Sequence, residues 1–336
     1  MSELINKKIL NLSIDSKLFE ENSAVSKRFI EYGKLVSELH VVVYTKKGFI
    51  QKKLVSNVYL YPTNTSFKFN YFFDALRLAK KILTSDMVIT SQEAFTHMVG
   101  IMLKKKYGNT LELQYHTDFM SPYFKMESIK NYARYLVYCW SIKYADVIRV
   151  VSERVKKSIQ LKNIDQSLIR VEPIVVDVEK IKNTIPSFDL HKKYSQFDKI
   201  ILMISRLEQE KDIVSGIKAF SEVLKEFPKT GLVVVGSGSQ RSYLQNISNS
   251  SIIFEDWQND TVSYYKTADI FLNTSRYEGY GITLIEASMC KIPIVTTDVG
   301  IVDEIISKGA NCRVCPVGDI KCLANKLKEA LNSFLR

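Results

Sequence analysis

Short apolar runs of strand length alternate along this chain with longer amphipathic stretches of helical period, and the alternation runs through twice. The first pass has strand-like runs at 8–14, 40–44, 87–90, 111–115 and 147–151, with helical patterns at about 23–38, 71–83 and 129–144 between them. After Asn183-Thr184-Ile185-Pro186-Ser187 it restarts, with strands at 199–205, 231–236, 251–254, 270–273 and 294–297 and a helix at about 212–226. Strands that alternate with helices need crossover connections, and these place the strands parallel with helices on both faces of the sheet. A chain of 336 residues has room for two such domains of roughly 150 residues each. The expected class is α/β, two Rossmann-like parallel-sheet domains, residues 1–180 and 181–336. In open sheets of this kind ligands bind beyond the carboxyl ends of the strands, so a cleft facing both sheets is the expected site, which favours an enzyme.

Composition removes other classes. Hydrophobic residues at 46% and charged residues at 25% are ordinary for a globular protein, so general disorder is excluded. No window approaches 18 uncharged apolar residues, and the first ten residues hold no apolar signal core, so a cytoplasmic protein without a membrane-spanning helix is expected. Five cysteines, an odd number, read as reduced thiols. Cys312-x-x-Cys315 lacks the second Cys or His pair that a zinc site needs. The net charge of +11 favours anionic partners, and Lys52-Lys53, Lys80-Lys81, Lys104-Lys105-Lys106 and Lys156-Lys157 all fall in the first half.

The chemistry concentrates after strands of the second half. In Ser275-Arg276-Tyr277-Glu278-Gly279-Tyr280-Gly281-Ile282-Thr283-Leu284-Ile285-Glu286 a glycine turn opens a helix. Gly279 and Gly281 permit close backbone approach, and the amides of Ile282, Thr283 and Leu284 are expected to be free donors for phosphate. Glu278 and Glu286 flank the turn and can accept hydrogen bonds from hydroxyls; the plainer alternative is a helix cap and a solvated carboxylate. Arg206 and Lys211, on a loop after the strand at 199–205, can together neutralise a diphosphate, although solvated loop charges are the default for either alone. Gly236-Ser237-Gly238 is half of a dinucleotide fingerprint without its acidic partner and reads as a turn near the ligand. His116, at the end of the strand at 111–115, can meet a transferring group, with Asp118 assisting; a packed, satisfied histidine is the alternative. There is no Asp-x-Asp pair, no phosphate-binding Gly-Lys-Ser loop and no nucleophile elbow.

These motifs, in this order, resemble glycosyltransferase family 4, a retaining family with the GT-B architecture; Tyr264–Phe271 and Pro293–Gly300 match it as well. The resemblance implies that Arg206 and Lys211 hold the diphosphate of a UDP or GDP sugar. It gives the sugar hydroxyls to Glu278 and the ribose hydroxyls to Glu286, with Gly236, Gly279, Tyr280, Gly281, Ile282, Thr283 and Leu284 around the donor. Phe254 and Trp257 would lie near the base. His116 and Asp118 fall on the acceptor side, so Glu278, His116, Arg206 and Lys211 form the implied catalytic set. No metal or other cofactor is implied. Implied partners are the nucleotide-sugar and a saccharide or lipid-linked saccharide of polysaccharide or glycolipid synthesis. An anionic membrane surface is a further implied partner, with the protein peripheral on its cytoplasmic face; nucleic acid is not. The chain departs from the family in three places: the Gly-Gly loop after the first strand is absent, Val175-Val176 precede Asp177 where Asn-Gly is usual, and the last helix, expected at about 323–334, is short or lacks its crossover. A basic nucleic-acid-binding protein, or a nucleotide-sugar sensor without transfer, is the alternative from outside the enzyme class.

Overall fold

The computed structural model describes residues 4–160, 164–306 and 311–333. The chain forms two compact units, the first of residues 1–120, 128–151 and 156–172, the second of residues 121–127, 152–155 and 173–336.

The first unit is an eight-stranded sheet of β1 (Lys8–Ser13), β2 (Glu38–Val43), β3 (Lys52–Val55), β4 (Val58–Pro62), β5 (Met87–Ser91), β6 (Leu111–Tyr115), β7 (Val147–Val150) and β8 (Ile169–Val171). Its order is β3-β4-β2-β1-β5-β6-β7-β8, parallel throughout except where β3 pairs antiparallel with β4. β1 lies between β2 and β5, so the winding reverses beside it. Helices of this half are α1 (Ala24–Gly33), α2 (Tyr71–Ile82), α3 (Ala94–Tyr107), α4 (Pro122–Glu127), α5 (Ile129–Ser141) and α6 (Glu153–Gln160); α4 and the first turn of α6 belong to the second unit. Local chemistry sets the ends of these helices. The Ser23 hydroxyl accepts from the Ser26 amide to start α1, Ser128 does the same for Asn131 at α5, and Gly108 ends α3 at φ +77°.

The second unit contains α7 (Val178–Asn183), α8 (Leu190–Lys193), α9 (Ile213–Leu224), α10 (Arg241–Asn246), α11 (Thr261–Thr267), α12 (Ile282–Met289) and α13 (Ile320–Asn332). They surround the strands β9 (Lys199–Ile204), β10 (Thr230–Val235), β11 (Ile252–Glu255), β12 (Ile270–Asn273), β13 (Ile294–Thr297) and β14 (Cys312–Cys315). All pairs are parallel, in the order β11-β10-β9-β12-β13-β14. Ile201, Met203, Val234 and Leu272 of the strands pack with Phe220 of α9 and Leu327 of α13 in one buried core. Near-continuous Val, Ile and Leu runs are what a sheet covered on both faces requires.

The rhythm of the sequence is thus realised as two parallel-sheet units, with local differences. The helix expected over 23–38 stops at Gly33, where a side chain would meet Val58 Cγ2 at 2.4 Å, so only glycine lets α1 lie this close to β4. β3 was hidden by its lysine pair and β8 by its brevity, and β4 and β14 also went unread. The expectation of reduced thiols is corrected: Cys315 and Cys322 form a disulfide, because β14 ends where the first turn of α13 begins and brings their Cα atoms to 5.8 Å. Cys139, Cys290 and Cys312 are free, and burial pushes the Cys290 and Cys312 thiols up to about 11. The last helix spans Ile320–Asn332; its expected end at 334 lies outside the described residues.

His97 on α3 is wholly buried against the rings of Tyr115 and Tyr138, with Nδ1 3.2 Å from Ser141 Oγ. Burial pushes its pKa down to about 3 from an ordinary value of about 6.5. Below pH 6.5 the unfolded chain therefore gains a proton that the folded chain refuses. Thermal stability should be level in this respect above that pH and fall as pH drops towards 3. In His97→Gln the slope of Tm against pH between 6.5 and 4 should be shallower; an unchanged slope would show that His97 is not the group responsible.

Candidate functional site at the carboxyl edge of the second sheet

β9 and β12 are the central neighbours of the second sheet, with β10 on the far side of β9, so the winding reverses between them, and at such a point the carboxyl edge is where open α/β sheets take ligands. The β9 loop carries Arg206 and Lys211, and the β12 loop carries Glu278. Lys211 Nζ lies 2.5 Å from Glu278 Oε1, and both side chains are largely buried. Ser275 Oγ lies 2.9 Å from the same carboxylate oxygen and 2.9 Å from Asn273 Oδ1. Two further ties clamp the loops. Thr274 Oγ1 is 2.9 Å from the carbonyls of both Lys211 and Asp212, and the Arg276 amide donates to the Glu210 carbonyl at 2.8 Å.

Asp212 sits between them at φ +45°, a conformation few non-glycine residues adopt. Its carboxylate is held there by Ser215 Oγ at 2.8 Å and by the Arg276 guanidinium at 3.3 Å. Arg206 is 68% exposed, with Nη2 2.7 Å from Glu210 Oε1 one turn later. The two cations expected to face an anion are therefore each matched to a carboxylate. An incoming anion must share or displace those partners.

Glycine permits the close loop packing. Gly236 lies at φ +147°, and a Cβ there would stand 1.9 Å from the Ser205 carbonyl oxygen. A Cβ on Gly238 would stand 2.4 Å from the Leu207 carbonyl oxygen. The loops after β9 and β10 are thus in backbone contact, tied further by Leu207 N to Ser237 O at 2.8 Å and by Ser239 donating to Glu208. Gly281, at φ +97°, caps α12. The Leu284 amide donates back to the Gly281 carbonyl at 3.0 Å, so the free-donor expectation narrows to Ile282 and Thr283. Glu286 does not join Glu278: it accepts from the Tyr265 hydroxyl at 3.1 Å, and burial pushes its carboxyl pKa up.

Three residues of this arrangement went unread in the sequence. Ser152 Oγ donates to the Gly279 carbonyl at 2.7 Å, from a segment more than a hundred residues earlier. Arg154 donates from Nε to the Gly300 carbonyl at 2.8 Å and pairs with Asp298 and Asp303. Gly300, at φ +57°, lets the loop after β13 pass the Glu278 turn, since a Cβ would lie 2.2 Å from the Tyr280 carbonyl oxygen. Gly300 ends the quoted Pro293–Gly300 run, and that was its signal; Ser152 and Arg154 carry none.

Phe254 is half-buried and packs against the core, whereas Trp257 is exposed. Between them Glu255 accepts from Lys193, Tyr194 and Tyr264 at 2.6–2.7 Å. Desolvation raises its pKa, but those three donors outweigh it and hold the carboxyl below the usual range. His116 and Asp118 stand in the first unit, just past β6. His116 Nε2 is 3.4 Å from Gln114 Oε1, and Asp118 accepts from Ser158 Oγ at 3.1 Å. His116 is exposed at the end of β6, with part of its ring desolvated by neighbouring protein. That desolvation, with Arg149 and Arg28 nearby, lowers its pKa to about 4, so the imidazole is neutral at physiological pH.

Gly236→Ala combines a left-handed backbone with a clash against main chain and should cost about 3 kcal/mol or more of unfolding free energy. Gly318→Ala, at φ +80° with open space around its Cβ, should cost only about 1 kcal/mol. Urea denaturation of the two variants checks the difference; equal losses would remove the close approach as the reason for Gly236.

Comparison with known proteins places these features. Residues 188–333 match the sequence profile described as Glycosyl transferases group 1. The alpha-monoglucosyldiacylglycerol synthase of Streptococcus pneumoniae is 28% identical over 264 residues, 72% of this chain and 58% of that protein. The capsular polysaccharide biosynthesis glycosyltransferase CapM of Staphylococcus aureus is 23% identical over 225 residues, 62% of this chain and 59% of that protein. The matches span 42%, 59%, 39% and 58% of the length of the first four curated relatives. Among solved structures, sucrose-phosphate synthase from Thermosynechococcus elongatus superimposes with a TM-score of 0.75 at 17% identity, covering 97% of this chain and 90% of that one. Anabaena HepE in complex with UDP gives 0.72 at 18% identity, again over 97% and 90%. These likenesses establish the fold class.

Proposed function

We propose that this chain, whose residues 188–333 match the glycosyl transferases group 1 and whose fold class is GT-B, transfers a sugar from a nucleoside-diphosphate sugar to a hydroxyl acceptor. The observation that carries this reading is the Lys211–Glu278 pair that joins the loops of β9 and β12. It sets a cation for phosphate and a carboxylate for sugar hydroxyls side by side. In this reading the segment 181–336 is the donor domain and 1–180 the acceptor domain. UDP bound to the HepE neighbour, and relatives named for a glucosyl diacylglycerol and for capsular polysaccharide, favour a UDP or similar donor and a saccharide or lipid-linked saccharide acceptor.

Arg206 and Lys211 exchange their carboxylate partners for the diphosphate oxygens, and the amides of Ile282 and Thr283 add donors at the start of α12. Glu278, once released from Lys211, accepts from sugar hydroxyls, and Glu286 accepts from the ribose. The bond from the anomeric carbon to the phosphate oxygen breaks as the bond to the acceptor oxygen forms on the same face, with retention. The departing phosphate takes the acceptor's proton. The two cations stabilise the charge developing on that phosphate, which is the task a divalent ion performs elsewhere, so the reaction proceeds without metal. Neutral His116 donates a hydrogen bond on the acceptor side, with Asp118 nearby in sequence. The protein works on the cytoplasmic face of a membrane; among the described residues no helix is long and apolar enough to cross one.

Calorimetry with UDP, GDP, ADP and CMP in EDTA tests the donor site. One diphosphate should bind, and Arg206→Ala with Lys211→Ala should abolish the binding; full binding by that double variant would end the phosphate assignment. Glu278→Gln should abolish transfer yet tighten nucleoside diphosphate binding about fivefold, roughly 1 kcal/mol, because Lys211 loses its competing carboxylate. Weaker binding would reassign Glu278. Firm binding with no turnover on any acceptor would favour a nucleotide-sugar sensor.

A further inference from the structure

Phe67-Lys68-Phe69-Asn70-Tyr71-Phe72-Phe73 places five aromatic residues in seven positions, across the turn into α2. Burial does not absorb them. Phe69 is 91% exposed and Phe67 and Phe73 are mostly exposed, as is half of Phe95 on α3. Behind them lies a cavity of about 600 Å³ lined by Ile14, Tyr44, Lys68, Tyr71, Phe72 and Met98, among others. It sits at the carboxyl ends of β1 and β2 beside the helix that follows β5, where the winding of the first sheet reverses.

The lining is apolar with one buried polar atom that stands out. The Tyr44 hydroxyl is buried without a hydrogen-bond partner, while its ring stacks on Tyr71 at 5.8 Å. An unpartnered buried hydroxyl is a free-energy cost that a ligand oxygen relieves. Lys68 lines the cavity, and two further lysines stand close to it in the chain. Lys46 and Lys47 follow Tyr44 by two and three residues, and Lys46 bridges to Thr65 next to the aromatic run. No ion pair engages Lys46, Lys47 or Lys68 among the described residues, while the neighbouring acids are spoken for: Asp74 pairs with Arg77 at 3.1 Å and Glu93 with Arg134 at 2.7 Å. An apolar cavity, one hydroxyl, unpaired lysines and exposed rings together match an amphiphile with an anionic head.

We propose that this face of the first unit docks on an anionic membrane and takes one lipid hydrocarbon chain into the cavity. The Tyr44 hydroxyl donates to an ester or hydroxyl oxygen at the top of the chain, Lys46, Lys47 and Lys68 meet the head group, and Phe67, Phe69 and Phe73 enter the interface. Taken with the transfer proposed above, the membrane so bound is where the acceptor is presented. Lipid binding itself needs no turnover and is measured without it.

The full chain should float with vesicles of phosphatidylglycerol and phosphatidylcholine in equal parts and stay behind with phosphatidylcholine alone. Phe69→Ser with Phe73→Ser, and separately Lys46→Glu with Lys68→Glu, should lower partitioning about tenfold or more, since each removes interfacial anchors or head-group charge. Tyr44→Phe keeps the ring and should weaken vesicle binding severalfold while leaving Tm unchanged or slightly higher, because the hydroxyl has no partner in the protein. No flotation, or equal flotation of all variants, overturns the proposal. So does a dimer in solution that the phenylalanine substitutions dissociate while vesicle binding is absent, which would assign the patch to a second copy of the chain. Nucleoside diphosphate binding by the same preparations separates the two readings. Flotation without nucleotide binding ends the transferase assignment alone, and nucleotide binding without flotation ends the lipid assignment alone.

Discussion

The ion pair of Lys211 and Glu278 joins the two loops that leave the central strands of the second sheet, and the arrangement of that edge depends on it. Largely buried charges are tolerable only when matched, so the pair fixes both loops at once, and the rest of the edge follows the same rule. Asp212 holds a left-handed backbone because Ser215 and Arg276 satisfy its carboxylate, and Thr274 hydrogen-bonds the carbonyls on either side of that bend. Arg206 is matched by Glu210 and Arg154 by Asp298 and Asp303. A site whose cations are all partnered binds an anion by exchange rather than by net attraction. Selectivity then rests on whether the ligand offers oxygens where the carboxylates now stand.

That matching also locates the surplus charge of the chain. The excess of +11 is not spent at the edge of the second sheet, where cation and carboxylate cancel. It resides in lysines such as Lys46, Lys47 and Lys68 of the first unit, for which no carboxylate partner stands among the described residues. Pattern and charge therefore separate the two units chemically: one concentrates charge that is internally balanced, the other displays charge that seeks a partner.

Sheet class and strand positions were legible because buried parallel strands must be apolar runs, and β12 and β13 fall on the residues read for them. The loops after β9 and β12 were legible as a cluster because glycines, arginine and paired glutamates gather within a dozen residues after a strand. What escaped detection depends on distance or on packing. Ser152 and Arg154 reach Gly279 and Gly300 from the other half of the chain, and no local pattern marks a side chain whose partner is more than a hundred residues away. The pairing of Cys315 with Cys322 required knowing that a strand end and a helix start coincide. The free amides were overcounted because Leu284 closes the first turn of its own helix, a consequence of where the helix begins rather than of which residues form it.

The two sheets share a winding order, with β1 and β9 as their innermost strands, yet their carboxyl edges are filled in opposite ways. After β9 and β12 come glycines, amides and matched ions, the chemistry of a polar anionic ligand. After β1 and β2 come Ile14, Tyr44 and the rings of α2, around a hydroxyl that no protein group satisfies. Topology dictates that each unit has a ligand edge; it does not dictate the ligand. The side chains do, and in the readings proposed above they divide a water-soluble, diphosphate-bearing substrate from an amphiphilic one. Where the family it resembles usually has a Gly-Gly loop after the first strand, this chain has Ile14-Asp15-Ser16-Lys17, and Ile14 lines the cavity: a phosphate cradle needs bare backbone, whereas the proposed hydrocarbon slot uses that side chain as wall.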